Sequence, residues 1–254
     1  MLKKRVIPTL LWKNHGLVKG VGFDSWRRVG TILPAVKVYN TREVDELIVL
    51  DIAATREGQE PDYESVADFS SECFVPLTIG GGVRSVEHIT KLLRAGADKV
   101  AINSAAFEDP ELVSRAVQRY GSQCIVISID VKRHDDGEYY CYTHSGQQNT
   151  GVRVLDWVRQ MEEREAGEIL ITSVEKDGTM TGYDLTLIER VASTAKIPVI
   201  ASGGAGSYED FYLAIRAGAS AAAAASIFHF TEQTPKEAKK YLKGRGVPVV
   251  NING

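Results

Sequence analysis

Two glycine-rich turns in this sequence have the composition of anion sites: Gly80-Gly81-Gly82 and Gly203-Gly204. Each follows a short apolar run and precedes a serine that opens an amphipathic segment. Glycines let a backbone approach an anion closely, and the amides of a following helix point at it. Such a turn can equally be only a sharp corner, and one copy leaves the two readings open. Here the whole stretch is written twice. Residues 75–104 recur as 197–226, with Pro76/Pro198, Gly81/Gly203, Ser85/Ser207, Arg94/Arg216 and Ser104/Ser226 each 122 positions apart (198 − 76). Two turns half a molecule apart fit a long substrate carrying a phosphate at each end. Gly82, Gly204 and the pairs Asn103-Ser104 and Ala225-Ser226 are the candidate donors.

Asp130 closes the apolar run IVISID and is the candidate general acid or base, or else a carboxylate capping a turn. Thr172 and the Asp177-Gly178 pair lie at and beyond the end of ILITS, where they either position substrate or form a plain turn. Lys19 could reach a phosphate, although a lone loop lysine is commonly solvated. Asp51 reads as a structural or supporting acid. A second register, 119 positions (130 − 11), matches the first apolar run to the one ending in Asp130 and sets Leu11 against that carboxylate. Leucine transfers no proton, and its neighbour Trp12 offers only an N–H donor. Arg5, Glu46, Lys99 and Glu168 stand at the starts of four apolar runs. They read either as a stabilising salt-bridge cluster or as a gate, since inward charges are costly unless paired.

Chemistry so distributed needs a scaffold that gathers strand ends. Apolar strands are predicted at 5–11, 47–52, 76–80, 99–103, 125–130, 169–173, 198–202 and 220–225. Helices are predicted at 33–44, 63–73, 86–95, 110–120, 154–166, 185–194, 208–217 and 235–242, and a hairpin with a DG turn at 134–146. Eight strands alternating with eight helices predict a single α/β domain over 1–254, a (β/α)8 TIM barrel built from two repeated half-barrels. Glu46/Glu168 and Asp62/Asp184 extend the repeat at the same spacing of 122 (168 − 46). In such a barrel the reactive groups belong at the carboxyl ends of the strands.

The chain of 254 residues has a formal charge of −3, which gives no reason to expect nucleic acid or an anionic membrane as partner. No apolar run approaches the roughly 18 residues of a membrane span. The start MLKKRVIPTLLW reads as a first strand rather than a signal peptide. Cys73, Cys124 and Cys141 are odd in number and lack metal-ligand spacing, so reduced thiols in a cytoplasmic protein without metal or cofactor are expected.

The segments KRVIP, LVKG, DELIVLDI, IGGGVRS, GADKVAIN, IDVKR, HSGQQNTG, GEILITSVEKDGTMTGYD, IASGGAG and ASIFHF resemble the cyclase subunit of imidazole glycerol phosphate synthase along essentially the whole chain. The resemblance implies a lyase that takes ammonia from a glutaminase partner docked at the barrel's bottom. At the top it would join that ammonia to a bisphosphate ribonucleotide of histidine biosynthesis. By matching motif, Asp130 would be the acid. Lys19, Gly82, Asn103, Ser104, Thr172, Asp177, Gly178, Gly204, Ala225 and Ser226 would line the substrate. Arg5, Glu46, Lys99 and Glu168 would form the ammonia gate, and Asp98 would face the glutaminase. The family has an aspartate where this chain has Leu11, serving as general base, and its loss would nearly silence cyclisation. The departure points first to paralogues that serve surface-polysaccharide (lipopolysaccharide) synthesis, amidating a nucleotide-activated sugar with the glutaminase and a third enzyme. The alternatives are an authentic histidine-pathway cyclase and a non-catalytic scaffold that activates the glutaminase.

Overall fold

The computed structural model describes residues 3–42 and 44–250. Among them are twelve strands: β1 Arg5–Lys13, β2 Gly16–Val21, β3 Asp24–Gly30, β4 Leu47–Asp51, β5 Leu77–Gly80, β6 Lys99–Ile102, β7 Ile125–Arg133, β8 Tyr139–Thr143, β9 Gln148–Arg153, β10 Glu168–Ser173, β11 Val199–Ser202 and β12 Ala221–Ala224. Eight of these run parallel in the order β1-β4-β5-β6-β7-β10-β11-β12, and β12 pairs back onto β1 to close a (β/α)8 barrel. Every predicted strand and helix is present, with ends moved by a few residues. The predicted helix at 33–44 is Ile32–Thr41, and position 43 lies outside the described residues.

Alternation along the strands separates two apolar layers. Val6 and Leu10 of β1 and Leu47 and Val49 of β4 face outward into the shell between barrel and helices. Ile7, Ile48, Ala101, Val126, Leu170, Ile200, Ala221 and Ala223 face inward and fill the axis. The repeat pairs found in the sequence do identical jobs in the two halves. Asp62 and Asp184 each accept a backbone N–H as helix N-caps, from Ser65 and Leu187. Ser85 and Ser207 cap the helices behind the two glycine turns.

The first strand of each half, β1 and β7, is nine residues long and runs on into an antiparallel ribbon. The ribbon after β7 contains the predicted hairpin and extends to Arg153. The ribbon after β1, residues 16–30, corrects the reading of that segment as loop. Its two tight turns use Asn14-His15 and Gly22-Phe23, all at positive φ. Histidine and phenylalanine seldom adopt that conformation, so the sequence carried no NG or DG signal there.

Candidate functional site

The carboxyl ends of the strands enclose one cavity that gathers most of the predicted residues. Gly82, Asn103, Ser104, Asp130, Thr172, Asp177, Gly178, Gly204, Ala225 and Ser226 all line it, and so does Leu11. The strand order fixes their arrangement. β5, which ends in the first glycine turn, and β11, which ends in the second, are four strands apart around the eight-stranded ring. β1 with Leu11 and β7 with Asp130 are also four apart, a quarter-turn from the first pair. A molecule stretched between the two turns therefore presents one flank to Asp130 and the other to Leu11.

The turns are glycine for steric reasons. A Cβ on Gly81 would lie 2.2 Å from the Asp51 carbonyl oxygen, and one on Gly204 2.2 Å from that of Gly182, with both residues at positive φ. Beside the second turn the Ser226 hydroxyl is buried without a hydrogen-bond partner, as is the Asn103 Oδ1 beside the first. Buried polar atoms are nearly always paired, so these two are aimed at something the cavity takes up. Ser104 Oγ accepts the His144 N–H at 3.1 Å, tying the first turn's neighbour to the β8–β9 ribbon.

Asp130 is 8% exposed and accepts a 2.8 Å hydrogen bond from Asn103 Nδ2. Burial raises its pKa to about 7, reinforced by the charge of Asp177 and opposed by the Asn103 bond. A carboxylic acid near neutrality can donate its proton, which a free aspartate at pH 7 cannot. Thr172 sits beside it in register on β10. Asp51, by contrast, accepts backbone N–H bonds from Ala53 and Ala54 at 2.8 and 3.0 Å, so it organises its own loop. The wall around Leu11 is apolar: Leu50 is its register partner, and Ile52, Phe23 and Trp26 line the same cavity.

Lys19 is the residue the structure places differently. It does not line the cavity and is not solvated; it is 2% exposed and its Nζ is 2.6 Å from Asp177 Oδ2. The β2–β3 ribbon carries it inward because Gly22 N–H donates to the Asp177 carbonyl at 2.8 Å. His229 lies close enough to feel the Lys19 charge; burial and that charge push its pKa down to about 4, and its Nε2 has no partner.

At the opposite end the four strand-start charges form a closed ring. Arg5 meets Glu46 at 2.6 Å and Glu168 at 2.8 Å, while Lys99 meets Glu46 at 3.0 Å and Glu168 at 2.9 Å. Thr78 adds a hydrogen bond to Glu46, the most deeply buried member at 2%. Asp98 lies at the same end, exposed, with Oδ2 accepting the Leu77 N–H at 2.8 Å.

A family model described as histidine biosynthesis protein matches residues 5–234. Among curated relatives, the "Imidazole glycerol phosphate synthase subunit HisF" of Chlorobium luteolum is 47% identical over 250 residues, 98% of this chain and 99% of that one. The protein of the same name from Dehalococcoides mccartyi strain CBDB1 is 49% identical over 250 residues, 98% of each chain. That from Dictyoglomus thermophilum is 45% identical over 247 residues, 97% of this chain and 98% of its own. The chain belongs to the HisF family of histidine biosynthesis proteins.

This HisF-family barrel also has mouth residues that the sequence reading passed over: Thr9, Ser128, Ser202, Ser145 and the ribbon aromatics Phe23 and Trp26. Thr9 and Ser128 were within reach, since the spacing of 119 (128 − 9) that matches Leu11 to Asp130 also matches them. Phe23 and Trp26 were not, because only the unforeseen ribbon brings them over the cavity. Among the described residues no cluster of histidine, cysteine or acidic side chains could hold a metal ion. Nor is any helix among them long and apolar enough to cross a membrane.

Proposed function

We propose that this HisF-type subunit is an ammonia-dependent cyclase: ammonia enters through the charge ring from a glutaminase seated over Asp98, and reacts at the mouth with a substrate phosphorylated at both ends. Asp130 in its protonated form gives a proton to the oxygen lost or neutralised during amination. Gly82, Asn103 and Ser104 hold one phosphate, and Gly204, Ala225 and Ser226 the other. The observation that carries this reading is the crossing of two axes, with paired glycine turns on one and a single protonatable carboxylate on the other. The relatives' shared name favours the histidine-pathway substrate, and with it the products imidazole glycerol phosphate and aminoimidazole carboxamide ribotide. That places the authentic cyclase ahead of the sugar-amidating paralogue first expected from Leu11.

Leu11 remains the one observation that favours the second reading, in which the same ammonia serves amidation of a nucleotide-activated sugar with a third enzyme. A buried leucine among Leu50 and Ile52 leaves the flank opposite Asp130 without a base. The deciding experiment is ammonia-dependent turnover of the bisphosphate intermediate by the purified subunit. Turnover comparable to that of a family member with both carboxylates supports the cyclase. Absence of turnover, together with glutaminase stimulation in a mixture that Asp98→Lys abolishes, overturns the cyclase and leaves the second reading and the glutaminase-activating scaffold.

A further inference from the structure

The two glycine turns are backed by different side chains. Each is followed by a helix whose capping serine is Ser85 in the first half and Ser207 in the second. Three residues further on, at the same place in the repeat (210 − 88 = 122), stand His88 and Asp210. Asp210 Oδ2 accepts the N–H of Ser207 at 2.7 Å and that of Gly206 at 2.9 Å, so a carboxylate holds the amides behind the second turn. His88 reaches back in the same way. Arg84, the counterpart of Gly206, donates its N–H to His88 Nδ1 over 3.4 Å. The same Nδ1 lies 3.3 Å from the carbonyl oxygen of Gly82. One nitrogen cannot serve both partners. Glu60 Oε1, 3.8 Å from Nε2, favours a proton on that nitrogen, which leaves the lone pair of the neutral ring on Nδ1 for the Arg84 N–H. A protonated Nδ1 instead donates to the Gly82 carbonyl and lets the Arg84 amide go. Gly82 and Val83 line the mouth, and His88 stands behind them with its side chain 13% exposed.

We infer that His88 is a positioning residue of the first phosphate turn, whose protonation tightens the grip of Gly82, Asn103 and Ser104 on an anion. The inference rests on the proposed reading of that turn as a phosphate site. Protonation adds a positive charge behind the glycine backbone, fixes Gly82 through its carbonyl and releases one amide of the turn. Each of these changes favours an anion. Histidine is the side chain that changes charge between pH 5 and 8, and the second turn has none in that place. By linkage, an anion at the turn favours the protonated ring to the same extent. The other groups around the ring are Glu60, Tyr63, Glu87, Lys91 and Arg84. Tyr63 meets it edge-on at 6.5 Å and bonds Glu60 through its hydroxyl at 3.3 Å. Lys91 Nζ lies 3.8 Å from Glu60 and 3.1 Å from Glu87, and the Arg84 guanidinium is engaged by the Gln59 carbonyl at 2.9 Å.

The test uses the full chain and inorganic sulfate, a dianion throughout this range, at an ionic strength held constant with chloride. NMR follows the ring signals of His88, assigned from its own backbone, together with the amides of Gly82 and Ser104. Sulfate should raise the ionisation midpoint of His88 by about 0.7 pH unit. That shift equals about fivefold tighter binding to the protonated form, the worth of one hydrogen bond. The exposed His15 titrates in the same spectra and reports any general salt effect. The second arm compares sulfate dissociation constants of the wild type and His88→Gln at pH 5 and pH 8. Glutamine keeps the reach and the hydrogen-bonding groups and loses the charge. Asp130, and His144 beside Ser104, contribute to both proteins, so the ratio of the two constants isolates His88. The ratio should change about fivefold between the two pH values. A His88 midpoint indifferent to sulfate that does shift the Gly82 amide, or a ratio that stays flat, overturns the inference and leaves the phosphate reading standing. No saturable shift at Gly82 and Ser104 overturns both.

Discussion

Replacing Asp130 by asparagine tests the electrostatics of the mouth without touching its shape. The change keeps an oxygen to accept the 2.8 Å bond from Asn103 and removes the ionisable proton. In the folded chain burial holds the carboxyl near pKa 7, against an ordinary 3.8. Between those values the folded state keeps a proton that the unfolded chain has released, so the contribution of Asp130 to stability falls as pH rises. The three-unit difference corresponds to at most about 4 kcal/mol, full below pH 3.8 and lost by the time pH has passed 7. About 3 kcal/mol of that loss falls between pH 5 and pH 8. All other titrating groups are shared, so the difference between wild type and Asp130→Asn isolates this one. Urea unfolding of both proteins at half-unit pH steps should show the variant gaining on the wild type by that amount from pH 5 to 8. A difference that stays flat would refute a protonated Asp130, and the assignment of this residue as an acid at neutral pH would go with it.

Leu11→Asp puts a carboxylate opposite Asp130 and should raise ammonia-dependent cyclisation of the bisphosphate by about 100-fold or more at the pH where the new carboxyl has ionised; steady-state rates that do not move at any pH would show that the base is not what the mouth lacks. Lys239→Met should cost about 3–5 kcal/mol by chemical denaturation, because Lys239 and Asp45 are a 2.8 Å pair, each side chain 1% exposed, and the variant leaves Asp45 charged in the core. A loss below about 1 kcal/mol would mean that water reaches Asp45. Lys19→Met should loosen the β2–β3 ribbon, read as faster amide exchange at residues 16–30, since it removes the 2.6 Å contact to Asp177. Cys141 is fully buried with its thiol pushed far up by burial, so a thiol reagent at pH 8 should leave it unmodified in the native protein and label it only on unfolding.

What the sequence made legible follows from its duplication. Strands and helices showed through their apolar periods, and the matched pairs Ser85/Ser207 and Asp62/Asp184 proved to be helix caps because capping needs a specific side chain at a specific place. Glu46 and Glu168 matched because each bridges Arg5 to Lys99. The placement of Lys19 was not legible, since its environment depends on a ribbon whose turns use His15 and Phe23 in a conformation those residues rarely take. The spacing of 119 placed Thr9, but not the fact that its hydroxyl is unpaired. A threonine in an apolar strand looks like any β-branched core residue until its oxygen is found without a partner.

The position of Leu11 bears on how far one substitution can change the mouth. In strand register Leu11 sits beside Leu50, and Trp12 beside Asp51. Phe23 and Trp26 close over the same cavity from the ribbon, and Phe23 lies against the backbone at Gly146 of the opposite ribbon. A carboxylate introduced at position 11 would thus enter a wall of hydrocarbon whose nearest acid, Asp51, is held by its own loop amides. Desolvation would raise its pKa as it raises that of Asp130, and a base protonated at neutral pH abstracts nothing. Cyclisation by Leu11→Asp should therefore climb with pH until the new carboxyl ionises, and fall again as Asp130 loses its proton. The window between the two is narrow because both carboxyls answer to the same burial. Adding Leu50→Asn, which offers the new carboxylate a hydrogen bond from its register neighbour, should lower the acidic limb of that profile and leave the alkaline limb set by Asp130 where it was. If both limbs moved together, the two flanks of the mouth would not be separate titrating sites, and the division into a polar and an apolar side would fail.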